Sequence, residues 1–297
     1  MVSVLMPAYN CEKYIRQAIE SILSQTHTHI ELLIADDGSK DNTKTIIDSY
    51  TDARVRTFHN PSNLGYLKTC NKLFAIASGD FVTFQDADDY SDSTKIEKQL
   101  KYFAMYPETG AVGTNMVTID QSGNYIETSA WGENVNENLK QSSFHFCAGT
   151  FMIRKEVLSV IGGYNEYFDR KGFEDYYWTM LIAEKYPVRN LSEAVYYRRI
   201  NPESVSQTLR NDRKSFLSHR ALFELAAQRK ATGTDMLQSG KQQEFTILML
   251  RKLAAKLSAE KNDKEAIKEI GQALKLSPLN LQLYRDLIYF TRKIFSD

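Results

Sequence analysis

Over the first ninety residues, short apolar runs alternate with stretches of helical spacing. Val2-Ser3-Val4-Leu5-Met6 is an apolar run stopped by Pro7, which predicts a buried strand with a turn at its C-terminal end. Residues 12–25 place Tyr14, Ala18, Ile22 and Leu23 at helical spacing. A second apolar strand is predicted over 30–35, ended by Asp36-Asp37-Gly38-Ser39. A helix follows over 42–50 with Ile46, Ile47 and Tyr50 inward, then a strand over 55–59, a helix over 67–77 and a strand over 81–84. Asp86-Ala87-Asp88-Asp89 comes directly after that last strand. Such alternation implies a mostly parallel sheet with crossover helices, whose ligand sits beyond the C-terminal strand ends. Tyr9, Asp36-Asp37 and the acidic quartet would therefore share one sheet edge.

Beyond Gly110 the pattern is less regular. Strands are predicted over 111–118 and 148–154, a turn at Gly162-Gly163-Tyr164, and a helix over 173–185 that opens with Glu174-Asp175. After Arg210 strand signals give way to helical spacing over 212–230, 241–260, 264–276 and 279–295, with 233–240 as a connection. The helices flanking Ser277-Pro278 resemble one tetratricopeptide-like hairpin, too few units for a solenoid. The expected organisation is a catalytic domain over 1–210 and a helical extension over 211–297.

Composition narrows the function classes. The 297 residues carry 37 basic and 37 acidic side chains, a balance that argues against a nucleic-acid binder. The balance is uneven along the chain: from Arg210 onward there are 17 basic and 10 acidic residues, a net of +7, which leaves −7 for the remainder. A basic tail is either an ordinary solvated face or a surface for an anionic membrane or acceptor. The final helix, with Tyr284, Leu287, Ile288 and Phe290 among Arg285, Arg292 and Lys293, either packs on its neighbour or lies at a membrane interface. Cys11, Cys70 and Cys147 follow no metal-ligand or disulfide spacing. With no membrane-length apolar stretch and no signal-peptide pattern, the expected location is cytoplasmic, with peripheral contact at the inner membrane face as an option.

The quartet carries the clearest chemistry. Three carboxylates in four residues repel one another, and their hard oxygens suit Mg²⁺ or Mn²⁺ completed by phosphates and water. An exposed acidic loop is the bland alternative. The ordered set Val2 to Asn10, Ser21 to Thr26, Glu31 to Ser39 with Asp41 and Thr43, Asn63-Leu64-Gly65 with Asn71, and the quartet after its strand resembles the large inverting family-2 glycosyltransferases of the GT-A fold. The resemblance runs from Met1 to about Ser206. It implies an α/β, Rossmann-like GT-A domain binding a nucleotide diphosphate-sugar, UDP-linked, with the C-terminal helices as an extension.

The resemblance also implies roles. Asp37 would accept a hydrogen bond from the donor's base, with Tyr9 and Pro7 lining the base site. Asp36 either joins the nucleotide site or caps its own turn. Asp88 would contact ribose or metal, and Asp86 or Asp89 the metal, with the division of these duties open. Gly172-Phe173-Glu174-Asp175-Tyr176 resembles the family's Glu-Asp motif, which makes Asp175 the general base and Glu174 an acceptor-positioning residue or alternative base. Helix N-terminal acids favoured by the macrodipole are the plain alternative.

Departures are visible. No His lies between Tyr197-Arg198-Arg199-Ile200-Asn201 and Ser204-Val205-Ser206, so Arg198, Arg199 or Asn201 would have to cover the diphosphate. No Arg precedes Asn71, and Lys68 is the nearest cation for the donor site. The Gln-x-x-Arg-Trp motif of processive synthases is absent, which favours a non-processive enzyme acting on a glycan, glycolipid or protein-linked acceptor. Trp131, His145 and Tyr164 are candidates for acceptor contact. The alternatives are a nucleotidyltransferase making nucleotide sugars, disfavoured because Pro7-Ala8-Tyr9-Asn10 lacks Gly and basic residues, and a non-catalytic nucleotide-sugar-binding scaffold.

Overall fold

Every residue of strand β1 (Val2–Ala8) and of β2 (Ile30–Asp36) is buried, as expected of central parallel strands covered on both faces. The computed structural model describes residues 1–133, 135–136, 147–200 and 212–294. Contacts divide the chain into two units, Met1–Gln207 and Thr208–Asp297.

The first unit holds a nine-stranded sheet. The further strands are β3 (Val55–His59), β4 (Phe81–Phe84), β5 (Tyr90–Ser91), β6 (Ala111–Ile119), β7 (Tyr125–Thr128), β8 (Met152–Arg154) and β9 (Val188–Arg199). Their order is β3-β2-β1-β4-β8-β6-β9-β5, with β7 on β6. The parallel part read from the sequence is β3-β2-β1-β4. Beyond β4 the sheet is mixed: β8 runs antiparallel to β4 and β6, and β9 runs parallel to β6 and antiparallel to β5. The strand expected over 148–154 is only Met152–Arg154, because Ala148–Thr150 forms a 3-10 turn.

Register explains why chemistry collects at one edge. Ala8 pairs with Asp36, and Leu5 with Phe84. The segments following β1, β2 and β4 therefore emerge side by side. Helices cover the sheet by ordinary amphipathic spacing. In α1 (Ile15–Leu23) the buried positions Ile15, Ala18, Ile19 and Ile22 form one stripe. Each fully buried Ile stabilises by about 1.5–3 kcal/mol. In α2 (Thr43–Asp48) only Thr43 and Ile47 are buried, while Ile46 and Tyr50 pack at the core's margin. The helices α3 (Tyr66–Ile76), α4 (Lys95–Met105), α5 (Lys155–Ile161) and α6 (Glu174–Ala183) complete the unit's described helices.

The second unit contains α7 (Asp212–Thr232), α8 (Gln242–Ala259), α9 (Asp263–Leu276) and α10 (Leu281–Ile294). Its core joins Ile247, Leu250 and Ala254 of α8, Ala266, Ile270 and Ala273 of α9, and Leu283 and Phe290 of α10. Asn262 caps α9 by accepting from the Glu265 amide. The three cysteines are free. Among the described residues no helix is long and apolar enough to cross a membrane.

Candidate active site

The loop after β2 is built around its two aspartates. Asp36 is buried, and its Oδ1 accepts from the Ser39 amide at 3.1 Å, the turn-capping role. Asp37 is also buried. Its Oδ1 accepts from Asn60 Nδ2 at 2.8 Å and the Leu64 amide at 2.9 Å, and its Oδ2 from the Gly65 amide at 2.9 Å. A carboxylate has about four acceptor positions, so these contacts leave Oδ2 able to take another donor. Gly65, at φ 95°, delivers its amide to Asp37 and opens α3. Pro7 is buried within β1, whereas the Tyr9 ring is 42% exposed at the edge and is not a core tyrosine. Asn10, in a left-handed turn at φ 51°, pins this edge to the Asp-Asp-Gly-Ser loop by accepting from the Lys40 amide at 2.8 Å.

The quartet's three carboxylates have different surroundings. Asp89 is buried; its Oδ1 accepts from the Arg199 amide at 2.7 Å and its Oδ2 from the Tyr196 hydroxyl at 2.8 Å. Asp86 accepts from the Tyr66 hydroxyl at 3.1 Å and, more distantly, from Tyr196 at 3.3 Å. Burial pushes both carboxyls up, with the neighbouring carboxylates adding to the rise at Asp89 and the tyrosine hydroxyls opposing it at both. Asp88 is half-buried, and burial followed by the Asp86 charge raises it to about 6.

Beneath the quartet lies a residue the sequence reading did not single out. Lys95 is fully buried at the start of α4, and its Nζ donates to the carbonyls of Phe84 and Gly149, each at 2.9 Å. It also faces the Tyr196 ring at 4.9 Å. Burial lowers its pKa to about 7, against the pull of Asp86, Cys147 and Asp89. Gly149 leaves room here: a Cβ would collide with the Tyr196 hydroxyl and come within 3.0 Å of Asp86 Oδ2, so a side chain would displace one of them. Tyr196 and Tyr66, the hydroxyls that hold Asp86, were missed with Lys95.

Glu174 and Asp175 open α6 and are half-buried. The chain enters through left-handed backbone at Gly172 (φ 77°) and Phe173 (φ 70°), uncommon for a bulky aromatic. Asp175 Oδ1 accepts from the Tyr176 amide at 2.8 Å. Burial raises both carboxyls, Glu174 to about 8 with the Asp175 charge as the next cause, and Asp175 to about 6 against that amide bond. The Asp86 charge contributes to the rise at both, so the pair lies within electrostatic reach of the quartet.

Other expectations resolve differently. Lys68 Nζ pairs with Asp169 at 3.2 Å. Tyr164 is buried in a ring cluster with Phe74, Phe84 and Trp178, which makes it core, not acceptor wall. Arg199 is buried and spent on structure, donating to the carbonyls of Asp88, Asp120 and Gln121 and to Gln17 Oε1. Arg198 is half-buried, and its charge lowers Asp86 and Asp88. Trp131 is half-buried, with its amide donating to Asn115 Oδ1 at 2.9 Å. His145, Asn201, Ser204 and Ser206 lie outside the described residues. Asn71 clamps the turn before Tyr164, donating to its carbonyl and accepting from its amide, each at 2.8 Å.

Among the described residues no group of three or more His, Cys, Asp or Glu is placed to hold a metal ion by itself. That donor set fits Mg²⁺ or Mn²⁺ only as a shared site, with one or two carboxylates and the remaining ligands from phosphates and water. Asp88 is half-buried and raised by burial and by the Asp86 charge, an unfavourable setting that a cation would relieve.

Comparison with known proteins agrees with this geometry. EpsE of Bacillus subtilis (strain 168), which bears a glycosyltransferase name, is 32% identical over 200 residues, 66% of this chain and 71% of that one. The Escherichia coli UDP-Glc:alpha-D-GlcNAc-diphosphoundecaprenol beta-1,3-glucosyltransferase WfaP is 30% identical over 211 residues, 69% of this chain and 80% of that one. The crystal structure of S. aureus TarS 1–349 in complex with UDP-GlcNAc matches with a TM-score of 0.66 at 20% identity, covering 93% of this chain and 81% of that one. That likeness carries the fold, the GT-A type expected from the sequence. Residues 3–162 match the family model described as glycosyl transferase family 2. The chain is a glycosyltransferase and belongs to glycosyl transferase family 2.

Proposed function

We propose that this enzyme moves a sugar, with inversion at the anomeric carbon, from a UDP-linked donor to a hydroxyl of a glycan or glycolipid acceptor. The observation that carries the reading is the electrostatic proximity of Asp86, just beyond β4, to the Glu174–Asp175 pair at the start of α6, with all three carboxyls raised by burial. The UDP-glucose in WfaP's name and the UDP-GlcNAc in the TarS complex support the donor class. The lipid-linked acceptor in WfaP's name supports the acceptor class.

Each residue has a task. The exposed Tyr9 ring lines the base, and Asp37 Oδ2 takes the base's N3–H. Asp88 is the principal carboxylate for Mn²⁺ or Mg²⁺, with Asp86 second; Asp89 instead fixes the wall by holding Arg199 and Tyr196. When bound, the cation would neutralise charge on the departing diphosphate. Near neutral pH Glu174 keeps its proton and Asp175 is ionised, so the pair holds one proton between them. Asp175 takes the proton of the attacking acceptor hydroxyl, and the nucleoside diphosphate leaves on the opposite face.

The test is release of nucleoside diphosphate from a panel of nucleotide sugars, with Mn²⁺ or Mg²⁺ and with chelator. Acceptor-stimulated release from a UDP-sugar, abolished by chelator, is expected. Release from no UDP-sugar in the presence of acceptor extract would overturn the donor assignment, and chelator-resistant release would overturn the cation's role.

A further inference from the structure

The last helix, α10, has two apolar faces. Leu283 and Phe290 are buried in the C-terminal core, and Leu287 packs against it. Leu281, Tyr284 and Ile288 fall on the opposite side of a helical wheel and are 74%, 45% and 51% exposed. Leu279, just before the helix, is 91% exposed. Arg285 and Arg292 are exposed in the same outer stripe. The acidic residue of the helix, Asp286, lies outside the stripe and pairs with Arg251 at 2.6 Å. The stripe thus mixes aliphatic, aromatic and guanidinium groups with no carboxylate among them.

This chemistry selects the occupant. A second copy of the chain meeting the stripe face to face would bring guanidiniums together without a counter-charge. An anionic bilayer supplies the missing charge. Aliphatic side chains enter the acyl boundary, the tyrosine sits at headgroup level, and the arginines reach lipid phosphates. The net charge of +7 from Arg210 onward adds long-range attraction of the same sign.

We propose that the outer stripe of α10 docks reversibly on an anionic lipid surface. The proposal is independent of the catalytic reading, since it concerns neither donor nor base. The full chain is tested by co-sedimentation with phosphatidylcholine vesicles, alone and mixed with phosphatidylglycerol. Retention on mixed vesicles that is weakened by salt is expected, with little retention on neutral ones. The double variant Arg285→Glu/Arg292→Glu should lose about tenfold or more in binding, and Ile288→Asp should also bind less. Both should keep the far-UV spectrum, the thermal midpoint and the release of nucleoside diphosphate in solution. Equal retention of folded wild type and double variant overturns the proposal, as does binding that ignores lipid charge. A lipid-free dimer that these substitutions dissociate also overturns it, in favour of self-association.

Discussion

Glu31 and Asp88 lie toward opposite ends of the same parallel strands, and the protein treats the two carboxylates in opposite ways. Glu31, near the start of β2, is buried, which alone would raise its pKa. Ser3 Oγ, the Ser78 amide, Ser78 Oγ and Arg56 all donate to it within 2.8 Å and hold it down at about 2. Asp88, beyond the end of β4, is raised to about 6 by burial and by Asp86, and Glu174 is raised further. A carboxylate whose donors are supplied by the fold serves the fold. One left at elevated energy is available for a ligand or a proton.

The largest effect that would break this comparison is on turnover. Asp175→Asn should lower kcat by about 10²–10⁴-fold while donor affinity stays within a few-fold, measured by single-turnover kinetics and UDP titration. Wild-type turnover should rise with pH through about 6 as Asp175 ionises. Unchanged kcat in the variant would remove Asp175 from the base role.

At the other end, Glu31→Leu should cost about 2–4 kcal/mol, because buried donors lose their acceptor. Denaturant unfolding reads the loss, and turnover per folded molecule should remain near wild type. Linkage sharpens the contrast. Glu31 has a depressed folded pKa, so its stabilisation is present above the unfolded value near 4.5 and fades as pH falls toward about 2. Glu174 has a raised one, so its contribution is full below about 4.5 and is lost as pH rises through about 8. Glu174→Gln should therefore gain about 2–4 °C in thermal midpoint over wild type at pH 9. At pH 4 the two should melt together.

The smallest effect expected is of chelator on the melting of the free enzyme: a midpoint shift within about 1 °C, since Lys95, Arg198 and Arg199 already offset the charges of Asp86, Asp88 and Asp89. A large drop would mean that the carboxylate bed needs a cation to form.

The parallel core was readable because β1 and β2 are short, almost wholly apolar runs beside a helix of clear spacing, and α9 and α10 because their inner positions repeat at helical spacing. The α4 helix was not readable. Its buried positions are Lys95, Ile96, Gln99 and Phe103, so half of the inner stripe is polar and the apolar repeat vanishes. The buried polar groups are the ones tied across the molecule, Lys95 to Phe84 and Gly149, and Gln99 to the carbonyls of Val112 and Thr150. β9 was hidden for a related reason. Its pairing with β6 shifts register on both sides of Asn115, which breaks the two-residue alternation. Motif residues announced Asp37, Asp86 to Asp89 and Glu174-Asp175, but motifs say nothing of which carboxylates the fold consumes. Only the placement of Tyr196 and Arg199 shows that Asp89 is held by the wall.

That irregular stretch of β9 also bears on how the sequence can drift. Asn115 Nδ2 donates to the Ser192 carbonyl at 2.8 Å and fills the distortion. Downstream, neighbouring residues point to opposite faces, with Tyr196 holding Asp86 and Asp89 while Tyr197 stacks on Tyr90 at 4.5 Å. Between the pairs Thr114–Leu191 and Met116–Tyr196, β6 advances two residues and β9 five, so the distortion absorbs three extra residues and still brings Tyr196 to its place. Drift in this stretch is therefore limited less by its own length than by the need for Tyr196 still to pair with Met116 and reach Asp89.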